Sequence, residues 1–169
     1  MIGTQLYGMR DLVASARAVR RNTILIAGDI PESSYDFRAT PATRSVSETL
    51  VHIAWLWTFD RVIHEEMHLD SLIGFDFSTL LRKSEIEEKR RRSKADIIDL
   101  LQSEGERRAN WLEQFSDDLL AERIQVSADE SVSRFEMLLA TKEHELQHRA
   151  QLTVLERLIG VVPRVTGLS

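Results

Sequence analysis

The sequence predicts an all-α fold, an up-down four-helix bundle made by a single domain over residues 1–169, and three observations predict it. Only three prolines and seven glycines occur, and most of them fall between or beyond long stretches rather than inside them. Those stretches carry apolar residues at helical spacing. Several open on Ser-x-x-Glu or Ser-x-x-Asp, the pattern in which a serine side chain and an acidic side chain cap each other's backbone at a helix start.

The first helix is expected from about Thr4 to Ala27, with Leu6, Met9, Val13, Ala16 and Val19 on one stripe and Gly28 as its C-cap before Pro31. A polar connector leads to Ser45-Val46-Ser47-Glu48, which starts the second helix, carried here to about Met67. Glu48 therefore has a capping role. The third helix is heralded by Ser84-x-x-Glu87 and again by Ser93-x-x-Asp96, and its stripe is Ile97, Leu100, Leu101, Trp111, Leu112 and Phe115. The fourth opens at Ser133-x-x-Glu136, runs unbroken to about Ile159 and stops on Gly160, with Pro163 beyond. Segments 69–83 and 117–132 read as connectors, the first with a short turn of helix at Ser78 to Leu81.

Composition narrows the function. The 22 basic and 27 acidic residues give a net charge of -5, the wrong sign for neutralising phosphates, so no nucleic-acid partner is expected. Cysteine is absent, which excludes disulfides, thiolate ligands and a cysteine nucleophile, and any thiol chemistry must borrow its thiol. Charges interrupt the N-terminal segment, and no run of about 18 apolar residues occurs, so neither export nor membrane insertion is expected and the default is cytoplasmic. The basic run Lys89 to Lys94, flanked by Glu85 to Glu88, reads as the solvated face of a helix.

The histidines carry the chemistry. His144-Glu-Leu-Gln-His148 spells H-E-x-x-H, the zinc-peptidase pattern, but His64-Glu-Glu-Met-His68 spells it too. Counting about 100° per residue from His52 gathers Leu56, Phe59, Ile63 and Met67 on an apolar face, with Trp55 on the inward half, and leaves His64 and His68 about 120° and 160° away on the polar stripe. On the fourth helix Glu145 and Glu156 fall on the polar stripe, whereas His144 and His148 align within about 40° of each other, facing inward. With Glu145 turned away the peptidase pattern lacks its base. Two imidazoles four residues apart can reach one divalent ion, and His52 is the remaining inward histidine, so His52, His144 and His148 form the candidate metal site with positions left open. Glu48, one turn before His52, and Gln151, one turn after His148, are candidate supports.

With these residues in place, the chain resembles the DinB-like family of metal-binding four-helix bundles. The likeness rests on Ser45-Val-Ser-Glu-Thr-Leu-Val-His52-Ile-Ala-Trp and on His144-Glu-Leu-Gln-His148-Arg-Ala-Gln-Leu, followed by Leu158-Ile-Gly160 and Pro163. The resemblance implies that the three histidines hold a divalent ion, zinc or nickel. It also implies a metal-dependent transferase using a low-molecular-weight thiol; since an ion held by three imidazoles can activate either a thiol or water in its open position, the enzyme expected is a thiol transferase or a hydrolase acting on a small-molecule substrate. The competing expectation is a non-catalytic metal-binding bundle, a possible homodimer, because Leu139, Leu146, Ala150, Val154 and Leu158 form an apolar arc wider than one core stripe.

Overall fold

The computed structural model describes residues 7–164. Four rods form a bundle: α1 (Met9–Asp29), α2 (Val46–Trp55) continued by α3 (Trp57–Arg61), α5 (Lys94–Leu112) and α7 (Arg134–Leu158). A further helix, α4 (Ser78–Lys89), packs against α2 alone to any extent, and a short α6 (Asp117–Ala121) precedes a hairpin of β1 (Arg123–Gln125) and β2 (Ser131–Ser133). The bundle order is fixed by α1 packing on α5 and α7, and by α2 packing on α5, α4 and α7.

The helix starts form where the serine-acid boxes sit. Ser45 Oγ accepts from the Glu48 N–H at 3.2 Å while Glu48 Oε2 accepts from the Ser45 N–H at 3.0 Å. Ser93 with Asp96 and Ser133 with Glu136 do the same; each such cap contributes about 1 kcal/mol. Ser84, by contrast, caps nothing. It lies inside α4 and donates its hydroxyl to Glu88, so the expected third helix is two helices, broken at residues 90–93. The basic run 89–94 is therefore largely that connection rather than a helix face.

Other expectations need correcting. The start of α1 at Thr4, and Leu6, lie outside the described residues. Helix α1 does not stop at Gly28 but continues to Asp29, and its last carbonyls are met by Lys94, whose Nζ donates to Gly28 O and Ile30 O at 2.7 Å each. Gly160 does adopt the left-handed conformation that ends α7, at φ 83°. The second rod is flawed at Leu56, where Thr58 Oγ1 donates to the Trp55 carbonyl at 2.7 Å and competes with the backbone ladder; beyond Arg61 it widens into a π turn over Val62–Glu66. The hairpin in segment 117–132 was not expected at all, and it serves to bury Ile124 before α7 starts.

Two apolar clusters fill the bundle. One gathers Ile26, Ile30, Leu50, Ile53, Leu101 and Leu152; the other gathers Leu12, Trp57, Trp111, Leu112 and Leu138. Charged residues are buried along the same helices. Arg20 grips Glu145 through two hydrogen bonds of 2.9 and 3.0 Å and donates to Leu101 O and Ile53 O, while Thr23 Oγ1 donates to Glu145 at 2.9 Å. Gly105 makes room, since a Cβ there would stand 2.8 Å from Arg20 Cγ. Asp60, beside Arg108 and accepting from Thr141 at 2.7 Å, is buried as well, and burial pushes its carboxyl up to about 6.

Facing is where the sequence reading fails most. Of the two tryptophans on the second rod, Trp57, not Trp55, is the buried one, and its Nε1 donates to Glu104 at 3.1 Å. His64 is buried rather than solvated, because the inner face of α2 and α3 is centred on Leu50, Ile53, Ala54 and Trp57, not on His52. Arg134 donates to His64 Nδ1 at 3.2 Å. Met67 is exposed, and His68 is exposed as expected. On α7, Glu145 and Glu156 lie in the core rather than on a polar stripe.

Burial, with Arg134 and His68 adding to it, lowers His64 to about 4. Its unfolded value is near 6.5, so this neutral ring contributes stability above that pH, and the contribution is lost as pH falls toward 4, by up to about 3 kcal/mol. Urea unfolding is expected to show a shallower acid decline in His64→Gln than in wild type.

Candidate metal centre

The three predicted histidines meet. Helix α2 brings His52, helix α7 brings His144 and His148, and one ligand nitrogen from each lies within 4.8 Å of the others. Ring centroids are 5.7 Å apart for His52 and His144, 4.7 Å for His52 and His148, and 4.6 Å for the pair on α7. The Nε2 atoms of His144 and His148 are 2.8 Å apart. His148 is buried and His52 half-buried, but His144 is exposed, so the cluster sits at the bundle's flank with one ring toward solvent. The expectation that both α7 histidines look into the core holds only for His148.

Side chains around the rings set their orientation. Gln151 Oε1 lies 2.9 Å from His148 Nδ1, which turns Nε2 toward His144. That support was legible from its place one turn along α7. Glu48 does not play the equivalent part for His52: its carboxylate is taken by the Ser45 N–H and by Arg38, at 2.7 Å from Nη1. The partner of His52 is Glu88, whose Oε1 lies 2.7 Å from His52 Nδ1. Glu88 also accepts from Arg44 Nε at 2.7 Å and from Ser84 Oγ at 3.0 Å. Sequence reasoning missed Glu88 because it belongs to a helix read as a solvated charge run, and only the crossing of α4 over α2 brings it in.

Electrostatics keep the rings available as ligands. Burial lowers His148 to about 4, with Gln151 opposing and His52, His144 and Arg44 adding to the fall. Burial likewise lowers His144, helped by His52 and Arg44. Both are neutral near pH 7, the form in which imidazole binds a metal. For Glu88 burial pulls upward, but hydrogen bonds from His52 and Arg44 outweigh it and hold the carboxyl at about 2.

The donor set fits one ion. Two nitrogens each about 2.0–2.1 Å from zinc can be at most about 4.2 Å apart, so the widest separation here, within 4.8 Å, closes by a small side-chain rotation. A cavity of about 910 Å³ opens beside the cluster, with His148, Gln151, Glu88, Arg44 and Leu155 in its wall. The H-E-x-x-H base is not in it. Glu145 points to the opposite side of α7, into the grip of Arg20.

A family model described as the DinB superfamily matches residues 15–152. The chain belongs to that superfamily. Solved structures share its fold. One is the DinB-like protein YjoA of Bacillus subtilis, with a TM-score of 0.63, 21% identity, and coverage of 88% of this chain and 92% of that one. A second is YfiT of Bacillus subtilis, described as a probable metal-dependent hydrolase with an unusual four-helix bundle topology, with a TM-score of 0.71, 15% identity, and coverage of 95% and 93%. A third, an uncharacterized protein from Clostridium difficile 630, gives a TM-score of 0.69, 13% identity, and coverage of 92% and 99%. No curated protein matches the sequence.

Proposed function

We propose that this DinB-superfamily protein binds a divalent ion, zinc or nickel, through His52, His144 and His148, and uses it to transform a small molecule that enters the adjoining cavity. The observation that carries the reading is the convergence of three ligand nitrogens within 4.8 Å beside that cavity. When bound, such an ion supplies a Lewis acid that acidifies a water or thiol ligand and polarises an acceptor group. The chain's own residues supply the rest: three imidazole ligands leave coordination positions open, Gln151 and Glu88 hold two of the rings, and His148 faces the substrate space.

Hydrolysis is the reaction we favour. The likeness to YfiT, described as a probable metal-dependent hydrolase, supports it. The absence of cysteine keeps transfer to a borrowed low-molecular-weight thiol as the second reading. Elemental analysis of wild-type and His144→Ala protein, followed by parallel ester, amide and thiol-transfer screens of the zinc-loaded protein, tests both. Metal in wild type and loss of it in the variant are expected, with turnover that a chelator abolishes. Equal metal content in the two proteins would remove the site. A metal-loaded protein silent in every screen would favour a non-catalytic bundle, for which Val154 and Leu158, 53% and 58% exposed on α7, offer a surface for a second copy.

A further inference from the structure

We infer that Glu88 is the positioning residue for His52: by accepting a hydrogen bond from Nδ1 it leaves Nε2 as the nitrogen offered to the ion. This rests on the metal-site reading above. Glu88 is 7% exposed and is the one buried residue of α4. Its carboxylate, paired with Arg44 through Nε at 2.7 Å and receiving the Ser84 hydroxyl, has only acceptor capacity to offer. The ring nitrogen 2.7 Å away must therefore carry the proton. A metal ligand must be the neutral imidazole, which has one N–H, so with Nδ1 protonated it is Nε2 that offers its lone pair. A carboxylate in this place also stops the ring from rotating and makes it a better donor to a metal.

Glu88 is the deepest point at which this helix meets the bundle. Leu81 and Ile86 on α4 are 54% and 68% exposed and Leu80 is only half-buried, so no apolar side chain of this helix reaches the core. A buried carboxylate as the main anchor of a peripheral helix is costly unless its partners use it. Those partners are a metal-ligand candidate and Arg44, a cation in the cavity wall.

The alternative, that Glu88 merely ties α4 down, is separable by experiment. Glu88→Leu removes the acceptor but keeps an apolar side chain of similar size to hold α4, and Glu88→Gln keeps an acceptor at the same reach. Two quantities are measured on each protein: the zinc dissociation constant by chelator competition, and the His52 tautomer by ¹⁵N NMR of the metal-free protein. In Glu88→Leu the dissociation constant is expected to rise 10- to 100-fold, and His52 is expected to pass from a single Nδ1–H form to a mixture. Glu88→Gln should recover most of both. An unchanged tautomer in Glu88→Leu, or an unchanged dissociation constant in a zinc-binding protein, overturns the proposal. If wild type binds no zinc, the metal reading fails, and the tautomer alone still decides whether Glu88 sets the state of His52.

Discussion

Zinc supplied at a thousand times its dissociation constant is expected to stabilise the wild-type protein by about 4 kcal/mol, and His148→Ala is expected to gain nothing. For a chain of this size that is a rise in melting temperature of roughly 8–16 °C. His148 is the decisive position because its ring lies close to both others, at 4.7 and 4.6 Å between centroids, and because Gln151 fixes it. Differential scanning fluorimetry with and without zinc checks this. A rise in the variant equal to that in wild type would place any bound ion elsewhere. His64→Ala, which disturbs the other H-E-x-x-H copy, is expected to keep the zinc-dependent rise, since that ring is buried against Arg134 and apart from the cluster.

Breaking the Arg20–Glu145 pair has the other large expected effect. Glu145→Leu leaves a guanidinium buried without its counter-charge, at a cost of about 3–5 kcal/mol. Arg20→Met in the same protein is expected to restore much of that loss, because removing both charges also removes their desolvation cost. The restoration should be incomplete, as Arg20 also donates to Leu101 O and Ile53 O and Thr23 donates to Glu145. Urea unfolding of the two single variants and the double variant measures the coupling. A double variant no more stable than Glu145→Leu would show that the pair is not the unit of stability here. No peptidase activity is expected from any of these proteins.

The sequence showed the rods and the three histidines, but not which sides of the rods are dry. Caps are local, so Ser45, Ser93 and Ser133 announce their helices without tertiary information. Facing is a tertiary property. A stripe count treats Glu145, Asp60 and His64 as solvent-seeking by residue type, yet each is buried beside an arginine from another helix, Arg20, Arg108 or Arg134, which a linear pattern cannot pair. His52 was found for a reason that proved incomplete: it flanks the core of α2 rather than centring it, and the cluster forms because α7 passes along that flank. Gln151 was legible because it shares a helix with the ring it holds. Glu88 was not, because it comes from a helix the sequence reading had merged into α5.

Helix α4 separates the shaping of the cavity from the stability of the fold. It walls the cavity beside the three histidines with Glu85, Glu88 and Lys89 yet contributes almost nothing to the apolar interior. Its outward positions can drift, lengthen or change sign while the four rods fold as before. The segment that shapes this cavity is thus separable from the apolar interior that holds the bundle together.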